Sequence, residues 1–476
     1  MPRLTAPPTD ESGTRVPLVI PLLVAAALFM EMLDATIVNT AVPSIAGSLD
    51  VPPLSVKAVL TSYTLSLAVF IPVSGYMADR YGTRRVFAWA VAVFTLGSVL
   101  SGASVGLPML VAARVIQGIG GAMMTPVGRL TLVRTFPRDQ IIGAMNYVII
   151  PSLIGPLLGP LAGGLIVEWL PWRMIFLVNV PIGIVGFFLI RRYMPDYRGD
   201  SPTPLDRTGF VLFGAGIALL SYVLEVFGEH TWPPLPLAGM TLLSMVLLVA
   251  YWLHARGVVA PLLRLELFRI RTFRISVLGG FVTRLGIGGM PFLLPLLYQL
   301  GLGFAPWQAG LLMMPQAAAA LVTKPFAQRV LERFGHRRVL MVNTLLLGAT
   351  MNAFSLVSEG TPLGFVLALG FLQGSFSSLQ FTAINSLVYA DVSNRDASQA
   401  SSLSSTGQQL SLSFGVAAAS LVVALFLGDV PESNRTQLVG ALHDAFHALG
   451  LLTLLSSGSF FMLRETDGDN VSHHHA

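Results

Sequence analysis

The sequence predicts an all-α integral membrane protein, a bundle of 14 transmembrane helices grouped six, two and six, with both termini in the cytoplasm. Three observations predict it. The 476-residue chain is 54% hydrophobic and only 11% charged, where a soluble globular protein carries about 25% charged residues. Apolar runs long enough to cross a bilayer recur along the whole length. A short charged motif occurs twice, its copies separated by eight such runs.

The apolar runs cover 17–41, 57–77, 86–105, 109–131, 142–167, 172–191, 208–228, 236–254, 275–300, 306–328, 338–357, 362–388, 399–427 and 443–463. A chain that enters lipid this often must be helical, because lipid satisfies no backbone N–H or C=O group. Residues 1–16 are polar and Pro-rich and read as a short disordered cytoplasmic tail, and 466–476 as a second one. The first run carries acids and precedes no small-residue cleavage site, so it reads as a retained span.

Charge sets the orientation. With the N-terminus inside, only Lys57, Arg173 and Arg435 fall outside, and Arg114 and Arg284 fall within spans. The other basic residues gather on the inner side, as the positive-inside rule requires. That rule accounts for the net charge of +5 without nucleic acid as a partner.

The repeated motif is Asp79-Arg80-Tyr81-Gly82-Thr83-Arg84-Arg85, echoed by Glu332-Arg333-Phe334-Gly335-His336-Arg337-Arg338 at an offset of 253 residues. Gln117-Gly118 is echoed by Gln373-Gly374 at an offset of 256. The predicted layout is one six-helix bundle over 17–200, two additional spans over 201–262, and a second bundle over 263–465. Parallel six-helix repeats with substrate bound near the midplane characterise one large secondary-transporter architecture.

Several classes are disfavoured. There is no Cys, hence no disulfide framework, thiolate zinc site or Cys nucleophile. No GxxxxGK[ST] run is present to cradle ATP phosphates, so uphill transport would draw on an ion gradient. The Gly-rich runs 118–121 and 286–289 lie within apolar helices, not at a strand–helix turn. His443 and His447 share one helix face, but no third metal ligand is evident. No cofactor, metal or enzymatic activity is expected.

Glu31 and Asp34 lie inside the first apolar run. A carboxylate at a helix centre costs about 2.5–3.5 kcal/mol, and three residues turn a helix through roughly 300°, so both acids point to one side. Counted at 1.5 Å per residue, Asp34 lies about 10 Å and Arg114 roughly 7–8 Å in from the outer end of their spans. The matched depths make Asp34–Arg114 a pair and leave Glu31 deeper and less compensated. Glu31, Asp34 and Arg114 are therefore the candidate proton-coupling residues. Gln117, Asn146, Arg284 and Asn385 are candidate cavity residues, although interhelical hydrogen bonding explains polar side chains in lipid equally well. Glu225, near the outer end of its span, is expected to be hydrated.

Gly75, Asp79, Arg80, Gly82, Arg84 and Arg85 form a tight cytoplasmic turn. Gly75 permits close helix packing, Gly82 a positive φ, and the acid an ion pair or a helix cap. At this motif the chain resembles the major facilitator superfamily. Arg114-Val-Ile-Gln117-Gly118 is similar to that family's basic motif. Gly155-Pro156-Leu-Leu-Gly159-Pro160-Leu-Ala-Gly163-Gly164 is similar to the antiporter motif of its drug/proton exporters. Leu33-Asp34 through Pro43, and Trp172-Arg173 through Pro181, resemble the fourteen-span drug/proton antiporter branch. The RVIQGIGGAMM run resembles proteins regarded as multidrug exporters in enteric bacterial inner membranes.

The resemblance implies a multi-pass inner-membrane protein that exports amphipathic drugs or small metabolites, often cationic, in exchange for protons, as a functional monomer. Arg284 admits zwitterions or anions as well. Alternatives are an exporter of one physiological metabolite, or a membrane receptor that binds without turnover. The Gly155–Gly159–Gly163 stripe, smooth and bent by Pro156 and Pro160, is expected at the seam between the two bundles.

Overall fold

The computed structural model describes residues 18–472 apart from 138–139, 200–203, 228–232, 394–395, 429, 431 and 433. Among the described residues, 13 helices are long and apolar enough to cross a membrane. The first group is α1 (Val19–Ile37), α2 (Lys57–Phe70), α3 (Thr83–Gly102), α4 (Leu107–Thr135), α5 (Ile141–Trp169) and α6 (Asn179–Tyr193). Then come α7 (Arg207–Phe227) and α8 (Pro234–Gly257). The last group is α9 (Arg271–Leu296), α10 (Pro306–Ala353), α11 (Leu363–Val388), α12 (Ala397–Leu427) and α13 (Arg435–Phe460). Short 3-10 turns join α1 to a further α-helical stretch ending at Leu49 and link the second helix to another ending at Tyr81.

Helix α10 has 48 residues; at 1.5 Å per residue a straight rod would reach about 72 Å, over twice the roughly 30 Å hydrocarbon core. It is not one rod. Gly335 interrupts it with φ 72° and ψ 158°. The break at Gly335 falls between the expected runs 306–328 and 338–357.

The same turn closes the other copy of the repeated motif, where Gly82 has φ 95°. Tyr197 accepts from the Thr83 N–H at 2.9 Å, and Asp196 Oδ1 accepts from the Arg84 N–H at 3.2 Å. Asp79 accepts from Arg134 at 2.8 Å, tying the motif to the end of α4. Arg80 and Arg85 are exposed. Gly75 plays a different part from the one expected: a Cβ there would meet nothing within 4 Å, so the residue borders open space and not a packed helix.

Within the first group α1 packs on α4, α5 and α6, and α2 and α3 pack on α4. The last group repeats this, with α9 against α11, α12 and α13. The groups meet through α5 against α10 and α2 against α12. Helices α7 and α8 form a hairpin, Ser244 Oγ donating to Gly216 O at 2.9 Å, and α7 alone reaches both α2 and α12. Glu225 is half-buried and accepts from Thr61 Oγ1 at 3.1 Å, so it binds α7 to α2 and is not simply hydrated.

The other end of this hairpin is clasped by Asp206, whose side chain is only 4% exposed. It accepts from His254 Nε2 at 2.7 Å, Gly209 N at 2.8 Å and Leu262 N at 3.2 Å. Burial opposes its ionisation, but these three donors outweigh burial and hold the carboxyl below its usual value.

Two predictions follow from these turns and clasps. Gly335→Ala and Gly82→Ala should each cost roughly 1–2 kcal/mol, because an L-residue there adopts a left-handed backbone; in Gly82→Ala the new Cβ also lies 2.3 Å from Asp196 Oδ1. Thermal unfolding in detergent measures both, and an unchanged midpoint refutes the strain. Asp206→Asn should lose roughly 1.5–3 kcal/mol at neutral pH by weakening charge-assisted bonds. The depressed carboxyl contributes stability above its ordinary value of 3.8 and loses it as pH falls through the folded value. The gap between wild type and variant should therefore shrink in melts taken below about pH 4.

Candidate functional site

Helix α1 places Glu31 and Asp34 one turn apart, both buried, at 4% and 0% exposure. Their surroundings differ in kind. Asp34 Oδ2 accepts from Arg114 Nη1 at 2.5 Å. Its Oδ1 accepts from Gln117 Nε2 at 2.7 Å and Asn179 Nδ2 at 2.9 Å. Arg114 also donates to Gln117 Oε1 at 2.8 Å and to Val59 O at 3.2 Å. Its guanidinium lies 4.2 Å from the Tyr63 ring centroid and 5.6 Å from that of Phe176. Gln117 spends its remaining N–H on Ser98 Oγ at 2.9 Å. Every partner of Asp34 is a donor, which suits only the ionised carboxylate.

Glu31 has a different neighbour. Its Oε2 accepts from Thr125 Oγ1 at 2.8 Å, and among the described residues it makes no ion pair within 4.0 Å. A hydroxyl can donate to a carboxylate or accept from a carboxylic acid, so Thr125 suits either protonation state. Arg129, one helical turn further along α4, acts on Glu31 electrostatically from longer range.

Thr125 and Arg129 stand in the wall of a cavity of about 420 Å³ between the first and last groups of helices. Gly75, Asp79 and Asp206 border it on one side, and Gln399, Ser402 and Ser405 of α12 on the other. It opens on the face that carries the repeated motif. At the opposite face the groups are sealed. Gln299 Nε2 donates to Thr40 O at 2.9 Å and Ser413 Oγ to Thr61 O at 3.3 Å. Leu54 N donates to Glu432 Oε2 at 3.3 Å; burial raises the Glu432 carboxyl, with this bond and Lys57 opposing.

The glycine-rich stretch of α5 divides its contacts differently from expectation. A Cβ on Gly155, Gly159 or Gly163 would lie 2.9, 2.0 or 2.2 Å from atoms of Leu33, Thr36 or Ile37. The stripe is therefore seated on α1, inside its own bundle, where it lets the acid-bearing helix come close. Gly164 alone of these glycines faces across: a Cβ there would lie 2.3 Å from Pro306 O, and one on Gly310 would lie 2.3 Å from Pro160 O.

The expected cavity residues scatter. Gln117 is fully buried in the Asp34 network. Asn146 is exposed near the start of α5. Arg284, 1% exposed, donates from Nη2 to Asn385 Oδ1 at 2.9 Å, so these two are together, apart from the acids. Thr125, Asn179, Ser98 and Arg129 were missed by sequence reasoning. Asn179 carried a signal, a lone amide in an apolar run; Thr125 carried none, since its meaning depends on which face of α4 meets Glu31.

Comparisons agree with this architecture. A family model described as Major Facilitator Superfamily matches residues 24–314 and 276–473. A Yersinia enterocolitica protein named "Putative multidrug resistance protein MdtD" is 42% identical over 427 residues, 89% of either chain. A bacterial homologue of the human lysosomal transporter Spinster, inward-facing and unoccupied, superposes with TM-score 0.67 at 14% identity, over 96% of this chain and 98% of that one. A D-xylose–proton symporter does so with TM-score 0.67 at 16% identity, over 94% and 98%.

The two acids should respond oppositely to neutralisation. Asp34→Asn leaves the Arg114 charge buried without its partner, at a cost of about 3–5 kcal/mol. Glu31→Gln keeps an acceptor for Thr125 and should stay within about 1 kcal/mol of wild type. Thermal unfolding of the purified variants decides; equal losses contradict the assignment.

Proposed function

Since the chain belongs to the major facilitator superfamily, we propose that this membrane transporter is a proton-coupled exporter whose proton carrier is Glu31. It crosses the bacterial inner membrane 14 times, α10 crossing twice, with the repeated motif and both termini on the cytoplasmic side. The units 17–200, 201–262 and 263–465 are the first bundle, the added hairpin and the second bundle. The transporter works as a monomer on amphipathic compounds; the relative's name, which speaks of multidrug resistance, supports a drug-like cargo.

The observation that carries this reading is the contrast between the two carboxylates. Asp34 is surrounded by donors and stays charged, so it acts as a strut that joins α1, α4 and α6. Glu31 rests on an amphoteric hydroxyl in the cavity wall, and can gain or lose a proton without stranding a partner. With the cavity open to the cytoplasm, ionised Glu31 attracts a cationic group. When the bundles reverse, substrate leaves and a proton from outside neutralises the acid. The return step then carries a neutral side chain and avoids the roughly 2.5–3.5 kcal/mol that a carboxylate costs at a helix centre.

Reversal requires the outer seal to part. The close crossing of α5 and α10 at Gly164 and Gly310 is the contact on which the bundles would rock. Asp79, Arg80, Gly82, Arg84 and Arg85 brace the cytoplasmic side of the same movement.

Proteoliposomes loaded with an amphipathic dye test the proposal. Glu31→Gln should abolish both dye-triggered proton flux and pH-driven dye efflux, with the protein still folded. Coupled flux persisting in Glu31→Gln would sink it. Gly164→Val should hold the outer seal apart and stop turnover while Glu31 still titrates.

A further inference from the structure

The 253-residue offset that superposes the two loop motifs also superposes Glu31 on Arg284. The bundles therefore present opposite charges at equivalent positions. The depths agree as well. Glu31 is 12 residues from the start of α1 and Arg284 is 13 from the start of α9, or about 18 and 20 Å at 1.5 Å per residue. Both helices begin at the cavity-bearing face, and helical side chains lean towards the helix N-terminus, so both charged groups incline towards that face.

Arg284 is as buried as Arg114, at 1% exposure. Arg114 has Asp34; the residue equivalent to Asp34 in the second bundle is Ile287. Among the described residues no carboxylate lies within 4.0 Å of Arg284, and its Nε has no hydrogen-bond partner. It has one bond, to Asn385, and the Phe381 ring centroid at 5.1 Å. A buried cation with four donors to spare is costly to keep unless an anion meets it in use.

The surface next to Arg284 is polar and basic. On α11, Gly374 rests on Gln316, and Ser378 Oγ donates to Ala320 O at 3.1 Å, so this stripe faces the first arm of α10. Phe381 and Asn385 continue it, and Asn385 is exposed. Arg284 is thus one hydrogen bond from an accessible surface, as Glu31 is through Thr125. Lys324, exposed on the same arm of α10, lies within electrostatic reach of Arg129 in the cavity wall.

We propose that the exported compound is amphoteric, its carboxylate received by Arg284 and its cationic group by Glu31. This deepens the exporter reading and rests on it. An anion at Arg284 alone would favour a protonated Glu31 and so carry the proton in the same direction as itself. A cation on Glu31 displaces the proton, which is what exchange requires. A substrate with both charges satisfies both sites, and its proton leaves Glu31 for the cytoplasm as it binds.

Rhodamine 110, which has a free carboxyl, and rhodamine 123, its cationic methyl ester, form the test pair. Binding to the purified full chain in detergent is followed by fluorescence anisotropy, independently of transport. Wild type should prefer rhodamine 110. Arg284→Gln should weaken rhodamine 110 by about tenfold or more, the loss expected of a buried charged hydrogen bond, and leave rhodamine 123 unchanged. Asn385→Ala, at an exposed position, should give a smaller loss with the same selectivity, and serves should Arg284→Gln not fold. In liposomes, exchange for equal numbers of protons moves one more positive charge inward with the neutral dye. A potential negative on the cytoplasmic side should therefore speed rhodamine 110 more than rhodamine 123.

Equal affinity for both dyes in the wild type, or equal loss of both in Arg284→Gln, overturns the assignment and leaves Arg284 a brace between α9 and α11. Proton-coupled flux with rhodamine 123 alone also overturns it and spares the exporter reading. Carboxylate-selective binding without proton flux does the reverse, keeping Arg284 as the anion site and removing the proton coupling.

Discussion

A guanidinium and a carboxylate buried together are stable in a low-dielectric interior only when nearly all of their donors and acceptors are used. Asp34 and Arg114 approach that condition: both carboxylate oxygens and three of the five guanidinium donors are used, with Gln117, Asn179, Ser98, Val59 and the Tyr63 ring contributed by α2, α3, α4 and α6. The first bundle is assembled around this satisfaction. It also sets Glu31 apart from Asp34. One acid is surrounded by donors, while the other, a turn away on the same helix, rests on a hydroxyl. The glycine stripe of α5 serves the same end, since three missing Cβ atoms let α1 lie close enough to be fixed in rotation.

The second bundle repeats the fold without repeating this chemistry. Gly370 stands at the position equivalent to Arg114 and Ile287 at that of Asp34. Gln373, the counterpart of Gln117, keeps its amide, yet neither polar atom has a hydrogen-bond partner and the residue is fully buried. Such a group costs roughly 1–3 kcal/mol. It marks where a network like that of the first bundle would sit. Duplication preserves helix packing, which depends on shape and small residues, more readily than a polar network that needs five side chains at once. What the second bundle has instead is an arginine, Arg284, at the sequence position equivalent to Glu31.

Much of the fold could be read in the residues themselves. Hydrophobic length located the helices, and the repeated Gly82 and Gly335 turns came from a residue whose backbone freedom has a direct sequence signature. The Asp34–Arg114 contact could be anticipated from depth alone, since lipid makes two lone opposite charges at one level seek each other. The glycine stripe could not be assigned to a partner: periodicity shows that a face is smooth, not which helix lies on it. Gln117 was misplaced for a similar reason, because an amide in an apolar run looks the same whether it faces a cavity or another helix. Gly75 looked like a packing glycine and borders a cavity.

By itself the sequence determined the helical membrane class, the internal duplication and the identity of the few charges in the apolar core. Each follows from local composition or spacing, and a bilayer leaves little choice about either. Only the tertiary structure decided what those charges touch. Whether a carboxylate is surrounded by donors or rests on a hydroxyl depends on helix rotation and on contacts between residues as much as 145 positions apart. Those contacts surround Asp34 with donors, seat Glu31 on the Thr125 hydroxyl, and join Arg284 to Asn385.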